Sequence, residues 1–413
     1  MMKHYPVIVI GGGQAGLVIS YCLQKKGIEH IIFDRGEIGD SWKLKRWDNF
    51  TLVTPNWQCE LPGYKYSGKD PNGFMNREEV VQFIQGYVKI FQTPIYNKVE
   101  VTLVAKEGGA YIVKTSIGDF TAHEVVIASG AFNDPLIPPV ANKLPEEIKN
   151  IHSSEYKNAK LLGEKDILVV GSGQSGCQIA EDLHLEGKKV HLCVGSAPKS
   201  PRNYRGRDVV VWLDKMGYYD QPINSFPDPV AVRNKTNHYV TGRDGGREID
   251  LRVFALEGMK LYGLFKDVKD GNILFSNNLI EDLNKAEAAA QSIKDRIDQY
   301  IESKNIKAPL EPTYNAPWSP SKEVECIDIA SSNIGTVIWC IGFKANYKWL
   351  KIPVLDETGR AVQKRGVTQC EGLYFIGLPW MYTWGSGRFS GIARDAWYIA
   401  EYINSRISVT KSS

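Results

Sequence analysis

The sequence is poor in cysteine, and the cysteines it has form no close pair. No Cys-x-x-Cys spacing occurs among the seven, which lie at positions 22, 59, 177, 193, 326, 340 and 370. An odd, scattered set of thiols is typical of a reducing compartment, and it argues against a disulfide framework or a structural zinc site. The seven histidines likewise show no metal-ligand spacing. No metal site is therefore predicted.

Long hydrophobic runs and an excess of one charge are also missing. No window approaches the ~18 apolar residues that cross a bilayer, and residues 1–6 contain no secretory signal. Lys and Arg total 50 against 47 Asp and Glu, a formal net charge of +3. This near-balance argues against the broad basic face that nucleic acid requires. We therefore expect a cytoplasmic protein that binds neither membranes nor nucleic acid, and a homodimer stays open.

What the chain does contain is an internal repeat. Its 413 residues are enough for two or three domains. An apolar stretch at 7–10 runs into Gly-Gly-Gly-Gln-Ala-Gly at 11–16, and an apolar stretch at 167–170 runs into Gly-Ser-Gly-Gln-Ser-Gly at 171–176. In both copies the pattern then predicts a helix, a closing glycine and a second strand, at 30–33 and 189–193. The repeat predicts two similar strand–turn–helix–strand units.

Each glycine of these loops has its own task in dinucleotide binding. The first permits a tight turn, the second lets the backbone approach a pyrophosphate, and the third lets the helix pack closely on the strand. The phosphates then lie at the helix N-terminus, where unpaired N–H groups attract anions. A purely structural turn is the alternative, which the repetition disfavours. The predicted cofactor-binding residues are Gly11, Gly13, Gln14, Ala15 and Gly16, and then Gly171, Gly173, Gln174, Ser175 and Gly176.

The two copies differ where the second strand ends. The first copy has Asp34, and the matching position of the second copy is Val194. A carboxylate there accepts hydrogen bonds from ribose hydroxyls, whereas an apolar residue removes a charge that would repel a 2′-phosphate. We therefore assign FAD to the first site and NADPH to the second. Basic residues that suit phosphate follow Val194, although a solvated surface is the alternative for them: Lys199, Arg202, Arg205 and Arg207.

The remaining pattern predicts an α/β protein with two Rossmann-like dinucleotide-binding domains, the second inserted into the first. We place the FAD-binding domain at 1–157 and 334–413, and the NADPH-binding domain, with a helical insertion, at 158–333. Hydrophobic periodicity predicts helices at 78–90, 283–306 and 392–403. Strands are expected at 99–104, 110–115, 125–128, 336–341 and 373–376, and 221–229 reads as a loop.

Several stretches together resemble the class B flavin monooxygenases. They are the two glycine motifs, Ala-Ser-Gly at 128–130 before a proline-rich crossover, His-Ser-Ser-Glu-Tyr-Lys at 152–157, and Ser41-Trp42 and Thr54-Pro55 within 40–62. That family includes the flavin-containing monooxygenases and the plant indole-pyruvate monooxygenases. The chain is more similar still to uncharacterised bacterial flavin-dependent oxidoreductases encoded in nitrilase gene clusters. The resemblance covers nearly the whole chain.

The resemblance implies a mechanism and further site residues. NADPH would reduce FAD, O₂ would form a C4a-(hydro)peroxyflavin, and one oxygen atom would pass to a small substrate with a nitrogen, sulfur or carbonyl centre. The aromatic, glycine-rich stretch 380–388 would lie over the isoalloxazine, with packing as the alternative role of its tryptophans. The further cofactor-binding residues are Arg35, Ser41, Trp42, Thr54, Ala128 and Gly377, and the catalytic candidates are Asn56, Tyr156 and Arg388.

Two departures from the family pattern keep other functions open. In the fingerprint F-x-G-x-x-x-H-x-x-x-Y/F/W-K/P, the Phe and Gly positions hold Glu146 and Ile148. The family's asparagine after Val-Thr is displaced by Pro55, so that Asn56 comes one place late. An FAD-dependent NADPH dehydrogenase or reductase without oxygen transfer is therefore the alternative, followed by a nucleotide-binding redox sensor. A disulfide reductase is disfavoured because the close cysteine pair is missing.

Overall fold

The protein was analysed as a computed structural model that describes residues 2–410. Its α-helices are α1 (Gln14–Lys25), α2 (Asp40–Lys43), α3 (Arg77–Phe91), α4 (Gln174–Leu185), α5 (Val209–Lys215), α6 (Pro229–Asn234), α7 (Leu251–Leu256), α8 (Leu279–Ser303) and α9 (Ile392–Thr410). Its strands are β1 (Lys3–Ile10), β2 (His30–Phe33), β3 (Glu60–Leu61), β4 (Tyr64–Lys65), β5 (Ile95–Tyr96), β6 (Val101–Glu107), β7 (Ala110–Thr115), β8 (Gly118–Ile127), β9 (Asp134–Pro135), β10 (Lys149–His152), β11 (Asp166–Val170), β12 (Val190–Cys193), β13 (Asn203–Tyr204), β14 (Arg207–Asp208), β15 (Lys260–Tyr262), β16 (Phe265–Lys269), β17 (Asn272–Phe275), β18 (Cys326–Asp328), β19 (Ile334–Trp339), β20 (Phe343–Lys344) and β21 (Leu373–Phe375).

The first sheet carries the first copy of the repeat. Its strand order is β5–β2–β1–β8–β7–β6, and β21 also pairs with β8. The strands β5, β2, β1, β8 and β21 are parallel neighbours, whereas β6 and β7 form an antiparallel meander. Because parallel strands end at the same edge, the chain after β1, β2, β8 and β21 meets there. In open α/β sheets this edge is where ligands bind.

The second sheet repeats that arrangement. Its order is β10–β19–β11–β12–β15, with every pair parallel. Ile10 lies opposite Phe33 in the first sheet, and Val170 lies opposite Cys193 in the second. These pairs keep the 160-residue offset read from the sequence. The fold class, two Rossmann-like units with the second inserted into the first, is confirmed.

The domain boundaries differ from those expected. The strand β10 falls within the range 1–157, and β19 falls within 334–413, yet both pair in the second sheet. The polypeptide therefore leaves the first sheet after β8 and returns to it first at Leu350, which forms a bridge to Val104 of β6, and then at β21. The sequence alone did not show this, because strand neighbours are set by tertiary pairing. In the chain, β19 stands just before the C-terminal part of the first domain, and its position suggested that it belongs there.

Most predicted elements lie where the periodicity placed them. The helix expected at 78–90 is α3, whose N-terminus has a reciprocal capping box between Asn76 and Glu79. The helices expected at 283–306 and 392–403 are α8 and α9, each with different ends. The segment 221–229, expected as a loop, contains the short turn Ile223–Ser225 and the first residue of α6.

The two domains share an apolar core. One cluster of buried side chains contains Leu17 of α1 together with Ile179 of α4. Burying both helices against one continuous core limits how far the domains move relative to each other. Among residues 2–410, no helix is long and apolar enough to span a membrane, and no group of His, Cys, Asp and Glu is arranged to hold a metal ion.

Candidate functional site: two glycine loops and the cleft between them

The first glycine loop, at 11–16, has room for a ligand only at its middle glycine. Gly11 has a φ of +109°, and a Cβ there would lie 2.6 Å from the carbonyl oxygen of Ala128. A Cβ on Gly16 would lie 1.9 Å from the carbonyl oxygen of Gly11. Around Gly13, in contrast, nothing lies within 4 Å. The outer glycines are thus needed for packing, and the middle one leaves open space above the backbone.

The second loop, at 171–176, repeats these geometric roles. Gly171 has a φ of +102°, and a Cβ on Gly176 would lie 1.7 Å from the carbonyl oxygen of Gly171. At Gly173 only a methyl carbon of Thr236 comes within 4 Å, at 3.9 Å. Two independent loops therefore leave the same position open, which is the position where a dinucleotide pyrophosphate approaches the backbone.

The helices that follow both loops have uncapped N-termini. Neither Gly13 nor Gly173, the residues that precede α1 and α4, supplies a side chain to the first N–H groups. In the first site two further buried polar atoms lack a hydrogen-bond partner among the described residues, Gln14 Oε1 and Ser129 Oγ. Open space, unpaired N–H donors and unpartnered polar atoms fit a phosphate-bearing cofactor such as FAD.

The ends of the second strands differ as the sequence indicated. Asp34 accepts hydrogen bonds from the backbone N–H groups of Gly12 and Gly36, the latter at 2.8 Å. In the second unit Val194 is 1% exposed. There the Ser172 hydroxyl accepts from the N–H of Gly195 at 2.9 Å. The carboxylate that faces the first loop therefore has no counterpart in the second.

The other predicted FAD contacts lie along the same edge of the first sheet. Ala128 follows β8 and is buried against Gly11, and Gly377 follows β21 with a φ of +83°. The Trp42 ring stacks on that of Phe389 at 6.1 Å. The remaining residues of this set have partly or fully exposed side chains, namely Arg35, Ser41 and Thr54.

Lys199 does not have the surroundings expected of a 2′-phosphate ligand. It is 1% exposed, and its ammonium lies 3.0 Å from Glu248, 3.4 Å from Asp250 and 3.2 Å from Glu287. Burial alone would lower the pKa of Lys199, but these carboxylates raise it. Its charge is therefore matched within the protein, a pairing that sequence spacing could not reveal.

Arg202 is also used internally, at the contact between the two domains. It is 2% exposed, donates to the carbonyl oxygen of Val53 at 3.0 Å and pairs with Asp208 at 2.7 Å. Its guanidinium lies 4.7 Å from the ring of Phe74. These contacts favour a role in holding the Val53-Thr54 segment against the second domain rather than a role in phosphate binding.

Two of the three catalytic candidates are occupied in structural hydrogen bonds. The buried amide of Asn56 donates to the carbonyl oxygen of Asp70 at 2.9 Å and accepts from the N–H of Met75 at 2.8 Å. Tyr156 is fully buried and donates to Asp182 at 2.6 Å. Burial and the nearby carboxylate raise the pKa of Tyr156. Neither contact favours direct participation in a reaction.

The surviving half of the fingerprint, at 152–157, also joins parts of the fold. The His152 ring is buried and lies 2.9 Å from the hydroxyl of Ser154 and 3.0 Å from the carbonyl oxygen of Gly342. Burial lowers the pKa of His152. The Lys157 ammonium donates to the carbonyl oxygen of Leu44 in the first domain. This segment is a buried linker with its polar groups satisfied.

The third candidate, Arg388, lies where the two glycine loops come together. Gln14 donates to the carbonyl oxygen of Gly387, and Arg388 Nη2 donates to Asn237 Oδ1 at 2.9 Å. The neighbouring loop 236–240 reaches the second site, where Gln174 donates to the carbonyl oxygen of Val240 at 2.6 Å. A continuous series of contacts thus joins the two dinucleotide sites.

Two further side chains, Arg46 and His238, combine solvent access with a shifted pKa. Arg46 carries a pKa lowered to about 10 by burial, and burial together with nearby cations lowers the pKa of His238 to about 4. Both side chains nevertheless remain accessible to solvent. Arg46 lies in the stretch 40–62 that the sequence already singles out, whereas His238 belongs to no motif.

A separate cavity of ≈ 600 Å³ lies away from these loops. Its lining includes Leu185, the last residue of α4, together with Phe254 and Tyr314. Gly173 precedes the other end of the same helix, about 18 Å away at 1.5 Å per residue. The cavity is therefore not part of the dinucleotide sites.

The fold and the paired loops define a two-dinucleotide oxidoreductase. Residues 8–225 match the family model described as pyridine nucleotide-disulphide oxidoreductase. An uncharacterised CzcO-like oxidoreductase of Geobacillus kaustophilus (strain HTA426) is 32% identical over 402 residues, 96% of this chain and 98% of the relative. The chain therefore belongs to the pyridine nucleotide-disulphide oxidoreductase family.

Two further comparisons bear on the resemblance to flavin monooxygenases. A probable indole-3-pyruvate monooxygenase of Arabidopsis thaliana, YUCCA4, is 27% identical over 203 residues, 48% of this chain and 49% of the relative. The solved flavin-containing monooxygenase from Stenotrophomonas maltophilia is 17% identical, with a TM-score of 0.68 over 98% of this chain and 100% of that one. The resemblance to class B flavin monooxygenases is confirmed, and the comparisons bear out FAD and NADPH as the predicted cofactors.

Proposed function

We propose that the protein is an FAD-containing, NADPH-dependent monooxygenase that oxygenates a small substrate with a nitrogen, sulfur or carbonyl centre. The observation that supports this most strongly is the pair of glycine loops with open middle glycines, joined by the contacts of Gln14, Arg388 and Gln174. These contacts would hold bound FAD and NADPH on the two sides of one junction. FAD supplies the redox chemistry when bound: it accepts hydride and passes electrons to O₂.

The chain's own residues bind, orient and shield the reactants. The uncapped first turns of α1 and α4 hold phosphates, and Asp34 accepts hydrogen bonds from an adenosine ribose. Met381 and Phe389, both buried in the C-terminal loop 380–391, would limit the entry of water. A dry site favours oxygen transfer over wasteful release of hydrogen peroxide.

A reductase without oxygen transfer is the second candidate, and the contacts of Asn56 favour it. Its amide is already used by Asp70 and Met75, so it is not free to act beside a flavin. These hydrogen bonds of Asn56 do not bear on the proposed binding of FAD and NADPH.

One experiment separates these functions. The protein is purified with its flavin, reduced anaerobically with NADPH and mixed rapidly with O₂. A long-lived absorbing species before reoxidation, followed by oxygenated product, supports the monooxygenase. Direct return to the oxidised spectrum with one hydrogen peroxide per NADPH supports the reductase. A flavoprotein that NADPH does not reduce would contradict both and leave a redox sensor.

A further inference from the structure

Arg388 is a cation without a carboxylate partner at the junction of the two dinucleotide sites. Its guanidinium donates to the carbonyl oxygen of Trp384 and, at 2.9 Å, to Asn237 Oδ1. These bonds use two of the five N–H donors of a guanidinium. Among residues 2–410, no Asp or Glu lies within ion-pair distance of it, whereas Arg394 in the same segment pairs with Asp220.

The surroundings of Arg388 leave its charge unmatched. Burial lowers the pKa of Arg388 to about 10, and the phenols of Tyr219 and Tyr218 act in the opposite direction. The side chain is half-buried, and its two hydrogen-bond partners, the carbonyl oxygen of Trp384 and the amide of Asn237, are uncharged. A partly buried cation whose charge no carboxylate balances is a candidate site for an anionic ligand.

Further positive charge converges on the same place from other elements. Burial is the largest cause of the lowered pKa of His238. Arg296 of α8 and Lys235, which follows α6, lower it further. His238 is therefore neutral near pH 7, and the positive charge of this region comes from Arg388, Arg296 and Lys235. A cleft lined by one sign of charge attracts ligands of the opposite sign.

The walls around the guanidinium are aromatic. The Trp384 ring lies 3.8 Å from the Arg388 guanidinium carbon, and Tyr219 packs on Trp384 with ring centroids 4.6 Å apart. Flat apolar surfaces beside a cation suit a molecule with a negative end and an apolar body. Because Gly387 contacts Gln14, such a molecule would lie next to the first dinucleotide site.

We propose that Arg388 binds the carboxylate of the substrate, which is a small organic acid with an apolar or aromatic body. The inference rests on the proposed function, since the same molecule must carry the centre that is oxidised. A guanidinium fork matches a carboxylate in bidentate geometry. A phosphate of NADPH shares this chemistry, but the uncapped N-terminus of α4 already provides for its pyrophosphate, and its 2′-phosphate is expected beside Val194, after β12.

The test compares an acid with its neutral analogue. Phenylacetate and phenylacetamide are titrated separately into the purified protein, and binding is followed by flavin absorbance and tryptophan fluorescence. We expect the acid to bind at least about tenfold more tightly, as charge-assisted hydrogen bonds do. Arg388→Gln should remove this preference, and Arg388→Lys should keep part of it. Equal affinity for acid and amide, or no binding of acetate, phenylacetate or 3-phenylpropionate, would overturn the proposal.

Controls separate the substrate from the cofactor and from the loop. Arg394→Gln, which removes a carboxylate-paired arginine of the same segment, should keep the preference for the acid. If Arg394→Gln also lost the preference for the acid, the rigidity of the loop, not the charge of Arg388, would be responsible for it. If Arg388→Gln weakens NADPH binding and leaves phenylacetate binding intact, the oxyanion is a cofactor phosphate and the proposal is wrong. Flavin content reports the proposed function separately, because tryptophan fluorescence follows acid binding even without flavin.

Discussion

The glycines of the two loops have the same backbone roles, but the second strands of the two units end in different residues. Gly13 and Gly173 are both open to a ligand, and Gly16 and Gly176 are both packed against their own loop. At the end of the second strand, however, the first unit presents Asp34 to its loop and the second presents a buried Val194. Backbone geometry therefore decides that a dinucleotide binds, and one side chain distinguishes which adenosine is accepted.

The largest expected effect comes from filling the open space in each loop. Gly13 and Gly173 have φ angles of −72° and −69°, so alanine fits both backbones without strain. Gly13→Ala should yield a folded protein that purifies without flavin, because its Cβ occupies the space of the pyrophosphate. Gly173→Ala should keep its flavin but lose reduction by NADPH. Flavin absorbance and anaerobic NADPH titration measure the two results.

This matched pair also tests the assignment of the two sites. If Gly173→Ala lost flavin and Gly13→Ala kept it, the assignments would be reversed. Thermal unfolding controls for stability: Gly13→Ala should match the flavin-free starting protein, and Gly173→Ala the flavin-loaded one, because bound flavin itself stabilises the fold.

A smaller effect is expected where the two domains touch. A Cβ on Gly242 would lie 1.9 Å from the carbonyl oxygen of Leu52, beside the Arg202–Val53 hydrogen bond. Gly242→Ala should therefore push the domains apart and slow flavin reduction by NADPH about tenfold to hundredfold, because hydride transfer depends on spacing. Stopped-flow reduction measures the rate, and reduction by dithionite, which needs no second domain, should be unchanged. An unaltered NADPH rate would contradict this role of the contact.

The smallest effect concerns the choice between NADPH and NADH. Val194→Asp introduces a carboxylate that repels a 2′-phosphate and accepts from a ribose hydroxyl, so preference should shift toward NADH while FAD stays bound. In the first unit Asp34 lies close to Gly12, a position that Ser172 occupies in the second. Adding Ser172→Gly should therefore enlarge the shift. The preference is measured as the ratio of kcat/KM for NADPH to that for NADH. An unchanged ratio in the double variant would refute our placement of the ribose.

The sequence predicted the parts of the site that local backbone chemistry controls. The three glycines of each loop, Asp34 and the strands before them follow from short-range patterns, and the structure places them together. Lys199 and Arg202 show where this reasoning fails. Both are basic and follow Val194, but their carboxylate and carbonyl partners lie far along the chain, at Glu248, Glu287 and Val53.

The alternatives for Asn56 and Tyr156 could not be resolved from spacing either. Each has the residue type that the family pattern suggests, yet hydrogen bonds to Met75 and Asp182 already use their polar groups. His238 shows the converse, since it belongs to no motif yet directly follows Asn237, which contacts Arg388. Side-chain partners of this kind come from segments that are distant in sequence.

By itself the sequence determined that two phosphate-binding turns exist and that they differ in one carboxylate, because a glycine's conformational freedom and a strand's periodicity are local properties. Only the tertiary structure decided which cations remain unpaired. Folding brings three carboxylates to Lys199, and the Asp208 carboxylate and the Val53 carbonyl to Arg202, but it brings none of the described carboxylates to Arg388. Charge in a protein is neutralised across space, so its availability for a ligand follows from the fold.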